Sequence, residues 1–421
     1  MPLFHQQTKH SFSSVRKNAF FLDWRTQPKS FKTYPHFFPR FNIDEYPALK
    51  DLNLIAGITF EKHYPDGDYY LRTVPSAGGL YPCEVYIQLR GIKGMISGIY
   101  HYEPHTRQLA LIHEIDKDGI ESYLPNASKR SGLSFLFSAA YFRSSWKYQN
   151  RSIRYILLDT GHQLGSLYAA LCVMGRESCV EFDFDKIALN DAFGFRNDEM
   201  SLAFLAEKQE TTKSNQSITA LKQKFTYVAP CDYLEENSFI KDAYKASALY
   251  SDKPLYLPSF FLNIPQEQLR EAILKRRSIR ALKGEMIEAE TLHTITKDLF
   301  DFALSHGINI YYTLHRVTKT PQGVYKNGTL LKKGDFQERS KYLSLEQNIG
   351  GMSAVTFYFT SSEVTKYQKT TILCGFIAHI IYLRCELLSI GCSGIGAYYD
   401  DETKQFLETS DNILYLLAIG R

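Results

Sequence analysis

The sequence predicts an α+β fold that is written twice. Strand-like runs with period-two alternation, such as Glu84-Val85-Tyr86-Ile87-Gln88-Leu89, are interleaved with long apolar helical runs. The same order of elements returns in the second half of the chain. Short anchors return with it: Lys147-Tyr148-Gln149 and Lys366-Tyr367-Gln368 are offset by 219 residues, Gly98-Ile99-Tyr100 and Gly323-Val324-Tyr325 by 225, and Gly175 and Gly391 by 216. Ordered anchors with so small a drift read as an internal duplication.

Element by element, the first copy runs from a strand in SFLFSAA (134–140) to a long helix in WKYQNRSIRYILLDTGHQLGSLYAALCVMG (146–175), then CVEFDFDK, then a strand in MSLAFLA (200–206). The second runs from SAVTFYFT (353–360) to TKYQKTTILCGFIAHIIYLRCELLSIG (365–391), then GIGAYYDDE, then NILYLLAIGR (412–421). Earlier in each copy, NIDEYPALKDLNLIAGIT (42–59) matches the helical pattern that follows ILKRRSIRALKG in the second half. This divides the chain into an N-terminal strap (1–41), a first domain (42–206), a connector (207–260) opening on the polar EKQETTKSNQ, and a second domain (261–421). Duplicated halves resemble the protomers of a dimer, so the expected arrangement is a pseudo-two-fold pair within one chain, with the two long helices at the seam.

Bulk composition narrows the class. A chain of 421 residues is too long for one core, and 44% hydrophobic with 22% charged residues is an ordinary globular balance. The 29 Tyr and 28 Phe admit planar ligands, or an aromatic core. Forty-nine basic and 45 acidic residues are interspersed, which argues against a nucleic-acid partner. Seven cysteines, odd in number and without a CxxC pair, read as reduced, buried thiols of a cytoplasmic protein with no metal site. The first residues have no apolar core of a signal peptide, and the most hydrophobic stretch, 372–383, falls short of the ~20 residues a bilayer requires. No membrane association is expected, and 372–383 should be a buried helix.

The differences between the copies carry the chemistry. Only the second has Arg276, Ser278 and Arg280 in alternation, so that two guanidiniums and a hydroxyl can converge on one anion, with phosphate the obvious one. A solvated basic turn is the alternative. Only the first has RTVPSAGGLYP (72–82) before its strand. After the long helix the second copy reads Gly394-Ile395-Gly396-Ala397, where glycines let backbone N–H groups approach a ligand, and the first reads Val180-Glu181-Phe182, where Glu181 would repel an anion. Each copy lacks what the other retains, which predicts one composite site and not two.

These segments resemble the nitroreductase superfamily of FMN flavoproteins, and within it the SagB/ThcOx-type dehydrogenases that oxidise azolines to azoles. The resemblance rests on residues 5–35, RTVPSAGGLYPCEVY (72–86), GIYHYEPHTRQL (98–109), WKYQNRSIRYILLDTGH (146–162), RRSIR (276–280) and GIGAYYDDE (394–402). It implies two fused nitroreductase-like domains and one FMN per chain. Arg276, Ser278, Arg280, Gly394 and Gly396 would hold the phosphate and ribityl end, while Pro75, Ser76, Ala77 and Gly78 would line the isoalloxazine from the other half. Arg421 would reach the phosphate, or simply be solvated. Two departures stand out: the first copy's MGRESCVEF in place of a glycine segment, and GHQLGS (161–166) without the family's Gln-Asn, which leaves the surroundings of His162 open.

The resemblance also implies catalytic roles for Lys147 and Tyr148. An adjacent ammonium stabilises phenolate, and the flavin does the redox work. Set against this is a WKY that packs at a helix start with Lys147 in solvent. Lys366-Tyr367 belongs to the copy without the PSAGG loop and reads as vestigial; Tyr100, His101 and Tyr102 line a channel or pack. The substrate implied is a thiazoline or oxazoline in a peptide or on a carrier, with a cyclodehydratase or synthetase complex as partner. Two other readings remain: an FMN-dependent NAD(P)H reductase or desaturase of a small molecule, and a non-catalytic docking partner in a modification complex. No function is read from the N-terminal segment through Tyr34.

Overall fold

A computed structural model describes residues 2–17, 22–64, 67–207, 218–363 and 365–421. Most of the polar stretch 207–216, from 208 on, lies outside the described residues. The chain forms two compact units, one of residues 23–270 and one of residues 1–22 with 271–421. The segment expected as a strap is thus shared out, 1–22 to one unit and 23–41 to the other.

The unit of 23–270 is built on strands β1 (Arg40–Asn42), β2 (Ile58–Tyr64), β3 (Gly67–Arg72), β4 (Cys83–Arg90), β5 (Gly98–Glu103), β6 (Gln108–Glu114), β7 (Gly132–Ala140), β8 (Ser178–Glu181), β9 (Glu199–Glu207) and β10 (Leu255–Tyr256). Eight of them form one antiparallel sheet in the order β1-β6-β5-β4-β7-β9-β8-β10, and β2 and β3 pair as a separate hairpin. The central strands are buried on both faces, so their sequences are apolar almost without alternation: Leu133, Phe135, Leu136 and Phe137 of β7 are fully inaccessible. Each such side chain contributes about 1.5–3 kcal/mol by leaving water. The long helix, Ser152–Val173, lies against β4, β7 and β9 and is buried along its length. The described part of the connector adds a helix, Ser238–Ala248, whose N-cap Asn237 accepts the Ile240 N–H at 3.1 Å.

The unit completed by 271–421 holds β11 (Asn309–Leu314), β12 (Gly323–Lys326), β13 (Thr329–Lys333), β14 (Val355–Ser361), β15 (Gly391–Ile395) and β16 (Asn412–Gly420). Their order is β13-β12-β11-β14-β16-β15, antiparallel throughout. Strand for strand this repeats β6-β5-β4-β7-β9-β8. The irregularities repeat too: the register slips between Ile99 and Tyr100 in one unit and between Val324 and Tyr325 in the other, at the Gly-Ile-Tyr and Gly-Val-Tyr anchors. A bulge is a built feature of a strand pair, and its recurrence at the anchor is what duplication leaves behind.

Helix Tyr367–Leu387 packs on β15 and β16. It is the one helix among the described residues long and apolar enough to cross a membrane, and 89% of its most apolar window is buried inside the protein. Residues 42–59 differ from the helical expectation. They form short 3-10 turns at Ile43–Glu45 and Lys50–Leu52 and one helical turn, Asn53–Ala56. Pro47, which has no N–H and restricts the residue before it, separates the first two.

Candidate functional site

In the unit of 23–270, Pro75–Gly79 forms a tight loop between β3 and β4. Its shape depends on Gly78 and Gly79, both at φ +68°, a left-handed backbone that a side chain disfavours. Asp159 of the long helix fixes the loop from behind. The Ser76 hydroxyl donates to Asp159 Oδ2 at 2.5 Å and the Ala77 N–H to Oδ1 at 3.2 Å, while the Tyr81 N–H donates to Ser76 Oγ at 2.9 Å. Burial pushes the Asp159 carboxyl up to about 7, against the opposing pull of the Ser76 and Ala77 hydrogen bonds. At the end of the loop, Arg143 donates to Tyr81 O at 3.0 Å and pairs with buried Glu84 at 2.6 Å.

Lys147 and Tyr148 come to the front of this loop. They end the short helix Tyr141–Tyr148, not the start of the long one, because Gln149 turns to φ +48° and breaks the run. A β-carbon on Gly78 would stand 2.7 Å from Tyr148 Oη and 3.3 Å from Lys147 Nζ. The glycine is therefore required twice, by its backbone angle and by the pair pressed against it. Lys147 Nζ also lies 4.5 Å from the centre of the Trp24 ring and 5.4 Å from that of Tyr148. Of the four loop residues named from the sequence, Ser76, Ala77 and Gly78 make these contacts; Pro75 is half-buried at the entry.

Tyr100, His101 and Tyr102 are packing residues. All three are buried, with Tyr100 Oη donating to Ile96 O at 2.7 Å and His101 Nε2 lying 2.8 Å from Glu84 Oε2. Glu181 pairs with Arg130 at 2.9 Å, so the first copy fills with an ion pair the strand end that is glycine in the second.

In the other unit, Arg276, Ser278 and Gly394 meet at one residue the sequence did not single out, Tyr382 of the long helix. The Arg276 guanidinium is buried 5.5 Å over the Tyr382 ring. Ser278 Oγ lies 3.0 Å from Tyr382 Oη, and the Gly394 N–H donates to the same oxygen at 2.7 Å. Burial pushes the Tyr382 phenol up to about 12, so it is neutral near pH 7. A β-carbon on Gly394 would collide with Tyr415 Oη. Arg280 is exposed and lines a cavity of about 550 Å³ with Arg316, Lys341, Glu338 and Asn348. Gly396 follows β15 and is half-buried; Arg421 is exposed, its carbonyl accepting the Lys283 and Gly284 N–H groups at 2.7 and 3.0 Å. The second copy's Tyr367 is committed elsewhere, buried with its hydroxyl 2.8 Å from His5 Nδ1 and its ring edge-on to Phe4.

The two constellations, one in each unit, offer different chemistry. Guanidiniums at 276 and 280, a hydroxyl at 278 and a glycine segment are donors for a phosphate monoester. The Gly78 turn, bare of side chain, lets backbone lie close to a flat ring.

Comparison with known proteins finds a family match over part of the chain. Residues 48–206 match the Nitroreductase family. Members of the family typically bind FMN or another flavin. The chain is 27% identical over 137 residues to the nitroreductase-type protein MJ1384 of Methanocaldococcus jannaschii, covering 30% of this chain and 65% of that one. It is 31% identical over 121 residues to the trifolitoxin-processing protein TfxB of Rhizobium leguminosarum bv. trifolii, covering 27% and 32%. The chain thus spans less than two thirds of the length of these relatives. The fold extends further than the family match: a nitroreductase crystal structure from Anabaena variabilis superposes with a TM-score of 0.82 at 22% identity, over 99% of this chain and 98% of that one.

Sequence reasoning missed Asp159, Tyr382 and Trp24. Asp159 lies in the quoted ILLDTGH, and a carboxylate in an apolar helix was a signal that something polar must meet it. Tyr382 and Trp24 carried no such signal.

Proposed function

We propose that this chain is an FMN-dependent oxidoreductase that dehydrogenates thiazoline or oxazoline rings, in a peptide or on a carrier, to thiazoles or oxazoles. The observation that carries the reading is the seating of Lys147 Nζ and Tyr148 Oη together against Gly78, because dehydrogenation needs a proton acceptor beside the surface where a flat ring would lie. The likeness to a toxin-processing protein supports a peptide substrate.

In this reading Arg276, Ser278, Arg280, Gly394, Gly396 and Arg421 serve the phosphate and ribityl end of the cofactor, and Pro75, Ser76, Ala77 and Gly78 its ring. Because each copy lacks the other's set, one FMN binds per chain. FMN, when bound, supplies the hydride acceptor. The protein does the rest: Lys147 and Tyr148 take the proton that leaves the azoline carbon, with the lysine cation lowering the cost of phenolate, and Asp159 holds the loop on which they rest. A cyclodehydratase or synthetase complex would supply the azoline. Seven free cysteines, six of them buried, fit a cytoplasmic setting.

A second reading, reduction of a small molecule at the expense of NAD(P)H, is favoured by the likeness to MJ1384. One experiment separates the two. The purified protein is assayed for its visible flavin spectrum, for FMN per chain, and for turnover of a thiazoline-bearing peptide without NAD(P)H. One FMN per chain and conversion to the thiazole are expected. Turnover only of a small acceptor with NAD(P)H would leave the second reading standing, and absence of flavin would sink both.

A further inference from the structure

The chain has two tryptophans, and both are at the Lys147 end of the PSAGG loop. Trp24 lies in a 3-10 turn, Trp24–Thr26, capped by Asp23, in the N-terminal segment from which no function was read. Its ring meets Trp146 edge-on, with centroids 5.6 Å apart and planes at 70°. Thr26 accepts the Trp146 indole N–H at 3.0 Å, and Tyr233 Oη donates to the Thr26 carbonyl. The segment behind it is tied down at Lys29, whose N–H donates to Asp232 at 3.0 Å, at Ser30, whose carbonyl takes Arg72 at 2.6 Å, and at Lys32, which pairs with buried Glu199 at 2.8 Å. So anchored, the Trp24 face is held 4.5 Å from Lys147 Nζ.

We propose that Trp24 is a positioning residue: its ring face holds the Lys147 ammonium in place over the Gly78 turn and favours its charged form. This rests on the assignment of Lys147 and Tyr148 to the reaction. The π face of indole is the best aromatic partner for a cation. Tyr148 supplies a second face at 5.4 Å, and the Gly78 backbone closes the third side. Of the other charged or titratable groups around this corner, Asp23 is engaged by Arg25 at 2.9 and 2.7 Å, Asp159 is turned to the loop at Ser76, and Arg151 reaches Tyr155, whose ring packs on Tyr148. A lysine held as a cation stabilises an anion beside it, which makes Tyr148 Oη the proton-accepting atom of the pair.

The test reads Lys147 itself. The flavin-loaded protein is acetylated with N-hydroxysuccinimidyl acetate across a pH series, and the rate at Lys147 is followed by peptide mass spectrometry in wild type, Trp24→Leu and Trp24→Phe. Leucine keeps apolar bulk and loses the π face; phenylalanine keeps a weaker one. Trp24→Leu should lower the midpoint of Lys147 reactivity by about half a pH unit, and Trp24→Phe by clearly less. Equal midpoints in the two variants, or a Trp24→Leu midpoint equal to wild type, overturn the proposal. Trp24 is 57% exposed, so both variants should fold. The readout involves no turnover: lack of azoline oxidation with the expected midpoints would sink the proposed function and leave the Trp24 contact in place.

Discussion

Asp159 and Ser76, 83 residues apart in sequence, share a 2.5 Å hydrogen bond that ties the PSAGG loop to the middle of the long helix. The carboxylate is buried, and its carboxyl is pushed up to about 7 from an ordinary value of 3.8. In the unfolded chain the group ionises near pH 4; in the folded protein it keeps its proton until about 7. Between those values the folded state binds the extra proton, so stability falls as pH rises through this window, by at most about 4 kcal/mol. Asp159→Asn removes the titration. Its melting temperature relative to wild type should therefore climb between pH 5 and pH 8, and a difference that stays flat with pH would show that Asp159 is not the group described. At pH 8 the same variant gives up a charged acceptor for the Ser76 hydroxyl, so its loop should bind flavin less tightly even as the fold gains stability.

Gly78→Ala meets two obstacles. The left-handed backbone costs a non-glycine residue about 1–2 kcal/mol. The new β-carbon would stand 2.7 Å from Tyr148 Oη, and the phenol must move. We expect a drop of several degrees in melting temperature and a loss of thiazoline turnover out of proportion to it, with flavin still bound. Wild-type turnover in this variant would separate the Lys147-Tyr148 pair from the reaction.

Tyr382→Phe deletes one oxygen that meets both Ser278 and the Gly394 N–H. The Gly394 N–H is half-buried, so leaving it without its acceptor costs less than the about 1–3 kcal/mol of a fully buried donor. Because Ser278 and Gly394 are assigned to the phosphate end, the variant should lose FMN on gel filtration while its near-UV circular dichroism stays native. Retention of a full flavin complement would mean that Tyr382 braces the fold alone.

The doubling of the fold was legible because it is local. Strand runs, anchors and the Gly-Ile-Tyr and Gly-Val-Tyr bulges all recur as contiguous words, and contiguous words survive duplication. The helix expected over 42–59 was not, since one proline outweighs an apolar pattern. Within the site, Lys147, Tyr148 and Gly78 were readable from two short motifs, whereas the residues that bind the motifs were not. Asp159 finds Ser76 across 83 positions and Tyr382 finds Ser278 across 104. No periodicity reports such pairings; only the folded sheet and helix bring them together. Arg276 and Arg280 alternate in sequence, yet the first is buried on Tyr382 and the second stands exposed at the cavity with Arg316 and Lys341.

That division makes the two arginines separable. Arg280 is exposed, so Arg280→Ala disturbs no packing and removes one charge-assisted contact to a bound phosphate, worth about 1.5–3 kcal/mol. This predicts a rise of roughly 10- to 150-fold in the FMN dissociation constant, steeper at low salt, with an unchanged melting temperature of the flavin-free protein. Arg276 is buried against Tyr382, so Arg276→Ala opens a void beside the long helix and should lower the melting temperature of flavin-free protein as well. Flavin titration and differential scanning calorimetry on the two variants decide between them. If Arg280→Ala binds FMN as wild type does, the phosphate lies away from this arginine, and the cavity it lines with Arg316 and Lys341 serves something else.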